Sequence, residues 1–267
     1  MSNIKPIFLL ADSQLLFWRE EGGSFLARVR ALIEEDSAGK EIQAAYIGAS
    51  NGDAPEFYEL FVAAMNEAGI HRTRMIPSHL ESEDREFLEQ ADLILLAGGD
   101  VRRGWKAFED NGLNQKIMEL YYAGALLIGV SAGAVQLGVR AEDDKGSFNT
   151  FRLVPFIVDA HDEPGWTHLH KLVSKAGEHA RGYGIPSGGG VVYHPDYSME
   201  PIRHPAVEVS LTEEGTTRQA LVFPGEGGEQ EPEEERTFSP EVREILADAG
   251  YVKGPGAGSS DDDGSVN

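Results

Sequence analysis

The segment Ala125-Leu126-Leu127-Ile128-Gly129-Val130-Ser131-Ala132-Gly133-Ala134 leaves the chain around it little freedom. An apolar, strand-like run leads into Gly-x-Ser-x-Gly and then into small residues that suit the first turn of a helix. A serine on so tight a strand-to-helix turn is held in a strained backbone conformation. Side chains two residues before or after it would collide with neighbouring backbone, so glycine stands there and Oγ projects outward. The helix start behind it offers unpaired N–H groups and a positive dipole end, both able to stabilise an oxyanion. Ser131 is therefore a candidate nucleophile; the alternative is a tight turn whose serine only caps the helix.

Around this turn the chain alternates strand and helix. Residues 6–10, 42–47, 72–76, 91–97 and 125–130 read as strands, the last two as continuous apolar runs. Helices are expected over 24–35, with Phe25, Val29 and Ile33 on one stripe, over 53–68, with Pro55 just inside the start and Gly69 past the end, over 82–90 from the capping pattern Ser82-Glu83-Asp84-Arg85, and over 113–122. Such alternation predicts an α/β fold: a mostly parallel sheet with helices on both faces. Function in these sheets sits at the carboxyl ends of the strands. Gly98-Gly99-Asp100 and Ser131 both fall at such ends. Glycines there let backbone N–H groups face a cleft, so Gly99 and Ala132 are the expected oxyanion donors; a Gly-rich turn without a ligand is the plainer alternative.

A nucleophilic serine needs a base, and the chain has eight histidines. In hydrolases with this elbow the histidine follows the serine, which sets aside His71 and His79. His161 ends an apolar stretch, residues 151–160, expected to be a strand that delivers it at its carboxyl end; His194, after Gly190-Val191-Val192-Tyr193, is the second choice. His168 and His170 read as solvent-facing.

Composition narrows the partners. With 41% hydrophobic residues in 267, the chain can bury one substantial core. Against 45 Asp+Glu stand 23 Lys+Arg, a net charge of −22, which disfavours nucleic acid and anionic membranes as partners. No apolar run approaches a membrane span, the N-terminus does not read as a secretory signal, and cytoplasm is the expected compartment. The absence of cysteine excludes disulfides, thiolate metal sites and a cysteine nucleophile. No metal-ligand spacing is present. Residues 227–267 hold Glu229-Gln230-Glu231-Pro232-Glu233-Glu234-Glu235 and a Gly/Ser/Asp-rich end, and are expected to form a flexible acidic tail beyond a catalytic domain of residues 1–226.

Three segments together, Ala97-Gly98-Gly99-Asp100, Gly129-Val130-Ser131-Ala132-Gly133-Ala134 and Phe156-Ile157-Val158-Asp159-Ala160-His161, resemble the peptidase E (α-aspartyl dipeptidase) and cyanophycinase family of serine peptidases over about residues 6–222. The resemblance implies a class I glutamine amidotransferase-like, flavodoxin-like sandwich, no cofactor, and small or isopeptide-linked, aspartate-containing substrates. It makes Ser131 the nucleophile, His161 the base, and Gly99 and Ala132 the oxyanion donors. The family's acid lies in a segment like Gly-Ile-Asp-Glu, where this chain has Gly184-Ile185-Pro186-Ser187. The third triad member is therefore sought elsewhere: Asp144 first, then Asp143 or Glu178, with Asp159 behind them. Asp100, Arg102 and Arg103 are the expected substrate contacts, the arginines through a substrate carboxylate, although they could equally be solvated residues at a helix start. The expected activity is hydrolysis of a dipeptide or small peptide through an acyl-enzyme. An esterase or acyltransferase with the same machinery, or a binding protein that keeps the cleft, are the alternatives. A homodimer is a common assembly for folds of this kind.

Overall fold

A computed structural model describes residues 4–20, 23–37, 39–161, 164–177 and 179–225. All of these lie in the first of the two units into which the chain divides, Met1–Pro232. The expected acidic tail, residues 227–267, and Glu178 fall outside the described residues.

The strands are β1 (Ile7–Leu10), the short pair β2 (Arg19–Glu20) and β3 (Gly23–Ser24), β4 (Gln43–Ile47), β5 (Arg72–Ile76), β6 (Leu93–Leu96), β7 (Leu126–Val130), the hairpin β8 (Arg140–Asp143) and β9 (Gly146–Asn149), β10 (Ile157–Ala160), β11 (Arg181–Ile185), β12 (Gly190–Tyr193), β13 (Met199–Ile202), β14 (Ala206–Leu211) and β15 (Thr217–Val222). The helices are α1 (Phe25–Ser37), α2 (Pro55–Glu67), α3 (Ser82–Glu89), α4 (Val101–Asn111), α5 (Leu113–Tyr122), α6 (Ala132–Leu137) and α7 (Thr167–Ala176). The expected strands and helices appear in the expected order through α6, but the structure adds the β2–β3 pair and the whole of α4, which were not expected as elements. One local reading changes: the box that opens α3 is built by Glu81 and Asp84 rather than Ser82.

The main sheet has seven strands in the order β13-β12-β1-β7-β6-β4-β5. Its five consecutive strands from β1 to β5 are parallel, while β12 and β13 close one edge antiparallel. The apolar runs of β1, β6 and β7 are buried along their whole length, as parallel strands covered on both faces must be. One face sets Phe8, Leu10, Tyr46, Leu95 and Ile128 against Phe25, Val29 and Ile33 of α1 and Phe61 of α2. The opposite face carries Ile7, Leu9, Ala45, Ile94 and Leu127, all buried. The carboxyl ends of β1, β4, β6 and β7 open on a common edge, where Gly98-Gly99 and Ser131 emerge.

A second sheet, β10-β11-β14-β15, was not legible in the sequence. Helix α7 packs on it through Leu169, Leu172 and Val173 against Ile157, Val207 and Val209. The stretch expected as one strand over 151–160 is a strand only from Ile157. The reason lies in α6, whose last carbonyls would otherwise be orphaned. Amides of Phe151, Leu153 and Val154 donate to Gln136 and Leu137 carbonyls at 2.9–3.1 Å, and Arg152, at φ 59°, turns the chain to do so.

At the edge of the main sheet opposite Ser131, Arg28 of α1 holds Glu200 of β13 through two nitrogens at 2.6 Å, and His194 approaches the same carboxylate at 3.0 Å. Arg28 above all, then His194, brings the Glu200 carboxyl from its ordinary 4.5 to about 2. A carboxyl lowered on folding contributes stability above its unfolded value and loses it as pH falls from 4.5 toward 2. Both partners are more than a third exposed, so screening limits the tie to about 1 kcal/mol. Glu200→Gln should lower Tm by about 2–4 °C at pH 7 and by nothing measurable near pH 2 in scanning calorimetry. A pH-independent gap would assign the loss to packing.

Candidate active site

Ser131 occupies φ 50°, ψ −110°, a sparsely populated region for a residue with a side chain. Neighbouring contacts over-determine it. Its amide donates to the Leu10 carbonyl of β1 at 2.8 Å, and its carbonyl accepts from Val135 of α6 at 3.0 Å. The flanking glycines are explained by close approach. A Cβ at Gly129 would lie 2.7 Å from the Ala134 backbone, and one at Gly133 would run into the Leu96 carbonyl of β6. The helix α6 can therefore start immediately against the sheet, with Ala132 as its first residue and its N–H among the unpaired donors of a helix start.

Gly98 and Gly99 follow β6 and face this turn. A Cβ at Gly98 would sit 3.2 Å from Ser131 Cβ. Gly99 adopts φ 133° beneath the loop after β4, where any side chain would strike the Ser50 carbonyl. Among the described residues, neither the Gly99 nor the Ala132 amide is taken up by a turn, loop or cap hydrogen bond. Both residues line the cavity beside Ser131, and two backbone N–H groups are what an oxyanion there would require.

The histidine comes from the other sheet. Strand β10 runs parallel to β11, and His161, directly after it, donates its amide to the Ile185 carbonyl at 3.0 Å with φ 86°. Its Nε2 lies 2.7 Å from Ser131 Oγ. With the ring protonated on Nδ1, the hydroxyl donates to Nε2 and can pass its proton there as Oγ attacks. Gly184, next to Ile185 in β11, leaves room for the Trp166 ring, which a Cβ would approach to 2.5 Å. That ring belongs to the core carrying β10.

A cavity of about 260 Å³ adjoins the pair, lined by Gly99, Ser131, Ala132, Asp159, His161 and His168 among others. Asp159 accepts from, or pairs with, His168 Nδ1 at 3.1 Å. His168 thus belongs to the cleft, contrary to the solvent-facing expectation; its place on α7 over a sheet the sequence did not reveal hid this. At the cavity wall Glu142 of β8 meets Lys171 and Lys175 of α7, both at 2.8 Å. These lysines hold its carboxyl down from 4.5 to about 2.

The remaining expected site residues lie differently. Asp143 is committed to Arg102 in a two-pronged ion pair, Arg102 also donating to the Gly146 carbonyl at 2.7 Å and stacking 4.1 Å over Phe148. This fastens the β8–β9 hairpin to α4, and Arg102 keeps the Asp143 carboxyl below its ordinary range. Asp144 is exposed at the hairpin turn. Asp159 faces His168, and Glu178 lies outside the described residues. Among the described residues no carboxylate is hydrogen-bonded to His161. The expected substrate contacts do not line the cavity either. Asp100 caps α4 by accepting from the Arg103 amide at 2.7 Å, and Arg103 turns back onto the Ser50 carbonyl, with Nε at 3.0 Å. His194 is bound to Glu200 beside the start of β1, at the far end of the strands from Ser131.

The model of peptidase family S51 matches residues 19–197, well over half the chain. The chain belongs to peptidase family S51. The activity of that family is serine peptidase activity, and this chain is a serine peptidase. Solved structures agree at the level of fold. A peptidase from an acI-B1 Actinobacterium is similar over 83% of this chain and 95% of its own, with TM-score 0.60 and 20% identity. A peptidase E-type protein from Listeria monocytogenes EGD-e is similar over 76% of this chain and 100% of its own, with TM-score 0.55 and 20% identity. No curated protein matches the sequence. No helix among the described residues is long and apolar enough to cross a membrane, and no group of three or more His, Asp or Glu among them could hold a metal ion.

The Arg102–Asp143 pair yields a direct test. Asp143→Asn should loosen the hairpin, seen as a fall of a few degrees in Tm, while labelling of Ser131 by a fluorophosphonate stays within about twofold of wild type. A loss on the order of a hundredfold or more would place Asp143 in the machinery of His161.

Proposed function

We propose that this S51 peptidase hydrolyses a dipeptide or another small peptide or amide through an acyl-enzyme on Ser131. The observation that carries the reading is the 2.7 Å contact between Ser131 Oγ and His161 Nε2 at a strained elbow. Oγ attacks the scissile carbonyl as its proton passes to Nε2. The carbonyl oxygen, now an anion, is received by the Gly99 and Ala132 amides. His161 then returns the proton to the departing amine, leaving an ester on Ser131. Water, deprotonated by the same imidazole, attacks that ester; the carboxylic acid leaves and Oγ recovers its proton.

Size supports a small substrate. At about 260 Å³ the cavity lies at or below the range of roughly 300–1,000 Å³ for small-molecule sites, enough for one or two residues. His161 lacks a bonded carboxylate among the described residues and is placed by its backbone, through the Ile185 bond and its positive φ. The pair is read as a dyad in the folded chain, working in solution on a peptide without nucleic acid or membrane. Cytoplasm and a homodimer remain the expected setting.

Treatment with a fluorophosphonate followed by intact-mass measurement tests this. Wild type should gain one adduct, Ser131→Ala none, and His161→Ala should react at least about a thousandfold more slowly while melting normally. An adduct that persists in Ser131→Ala would remove the nucleophile assignment.

A further inference from the structure

The Ser50 carbonyl, in the short turn after β4, collects several donors. The Asp100 amide reaches it at 2.8 Å, Arg103 Nε at 3.0 Å, and Arg103 Nη2 is bonded to it as well. This is also the oxygen that a side chain at Gly99 would strike. Ser50 itself is buried, and its hydroxyl accepts from Gln136 Nε2 at 3.1 Å. The same Gln136 nitrogen donates to the Val101 carbonyl at 2.8 Å.

Gln136 stands on α6, the helix that begins at Ala132, while Val101 begins the helix that follows Gly99. One side chain therefore ties together the two backbone segments that carry the amides beside Ser131. Its environment suggests that this tie is what the residue is there for. Gln136 is fully buried, and its Oε1 has no hydrogen-bond partner among the described residues. An orphaned buried acceptor costs about 1–3 kcal/mol, which an apolar residue of the same shape would avoid. Gly104 completes the arrangement: a Cβ there would run into Ser50 Oγ and approach Gln136 Nε2 to 2.6 Å.

We propose that Arg103 and Gln136 are positioning residues of the oxyanion site, acting through Ser50 to fix the Gly99 amide at a set distance from the Ala132 amide. Arg103 does this from outside, through the carbonyl, and Gln136 from within, through the hydroxyl and Val101. Arg103 is thereby removed from the substrate and given to the transition state. Such a role has a signature distinct from substrate contact: the chemical step slows while saturation is unaffected. The inference rests on the proposed acyl-enzyme reading of Ser131.

The test uses the full chain and a biotinylated alkyl fluorophosphonate, whose reaction also builds negative charge on an oxygen facing the two amides. Concentration series give a limiting rate and a half-saturation concentration for wild type, Arg103→Met, Arg103→Lys and Gln136→Met. Arg103→Met and Gln136→Met should each lower the limiting rate about 10- to 100-fold, below the roughly 10²–10³ cost of losing an oxyanion donor outright. Half-saturation should stay within about threefold. Arg103→Lys, which retains a charged donor toward the Ser50 carbonyl, should recover part of the loss. Arg103 is exposed, so its variants keep the test open if Gln136→Met does not fold. A folded Arg103→Met that reacts at the wild-type rate, or that changes only in half-saturation, overturns the inference. If wild type itself forms no adduct on Ser131, the acyl-enzyme reading has failed instead.

Discussion

Everything at this site depends on how closely the helix behind Ser131 can approach the sheet. Gly129 and Gly133 permit that approach, since a Cβ on either would meet backbone of α6 or β6. With α6 pressed against the strands, the serine is forced into positive φ and its hydroxyl is aimed away from the sheet. The strain is held by hydrogen bonds on both sides of it, one donated to the Leu10 carbonyl of a neighbouring strand and one accepted from the Val135 amide of the helix. As the proposed nucleophile, a serine held this way is oriented before any substrate arrives, so little reorganisation would accompany the reaction.

His161, the proposed base, is positioned by different means. Its strand belongs to the second sheet, whose core is made by α7, Trp166 and the valines of β14. Ser131 and His161 meet where the two sheets abut, and charge ties reinforce that meeting from the side. Glu142 joins β8 to α7, and Arg102 joins the same hairpin to α4. Asp143, an alternative candidate for the acid, and Arg102, an expected substrate contact, are thus paired with each other and hold the frame.

What the sequence disclosed and what it withheld divide along physical lines. The elbow, the Gly98-Gly99 turn and the parallel core were readable because local patterns determine them: continuous apolar strands, glycines at close approach, helix starts with Pro55 or a carboxylate. His161 was readable through chain order and its place after an apolar run. The second sheet was not, because β15 is largely exposed and β14 alternates only in part, so neither carries a strong apolar signal. Missing that sheet turned His168 outward, when α7 in fact lays it against Asp159. The pairing of Asp143, one of the alternative acids, with Arg102 was not legible because the two stand 41 residues apart, a separation that no local pattern reports. Gln136 carried no visible signal either: a glutamine in a short helix looks ordinary until its burial is known.

Distributing the parts over two sheets makes the cleft depend on residues outside it. Gly184 and Trp166 touch neither Ser131 nor the cleft's oxygen-binding edge, yet they set the level at which β10 delivers its histidine. A larger side chain at Gly184 would have to displace the Trp166 ring, and the displacement would pass through this small apolar core to the strand that ends at His161. The geometry of the cleft therefore depends on positions that a map of the reacting groups alone would leave blank.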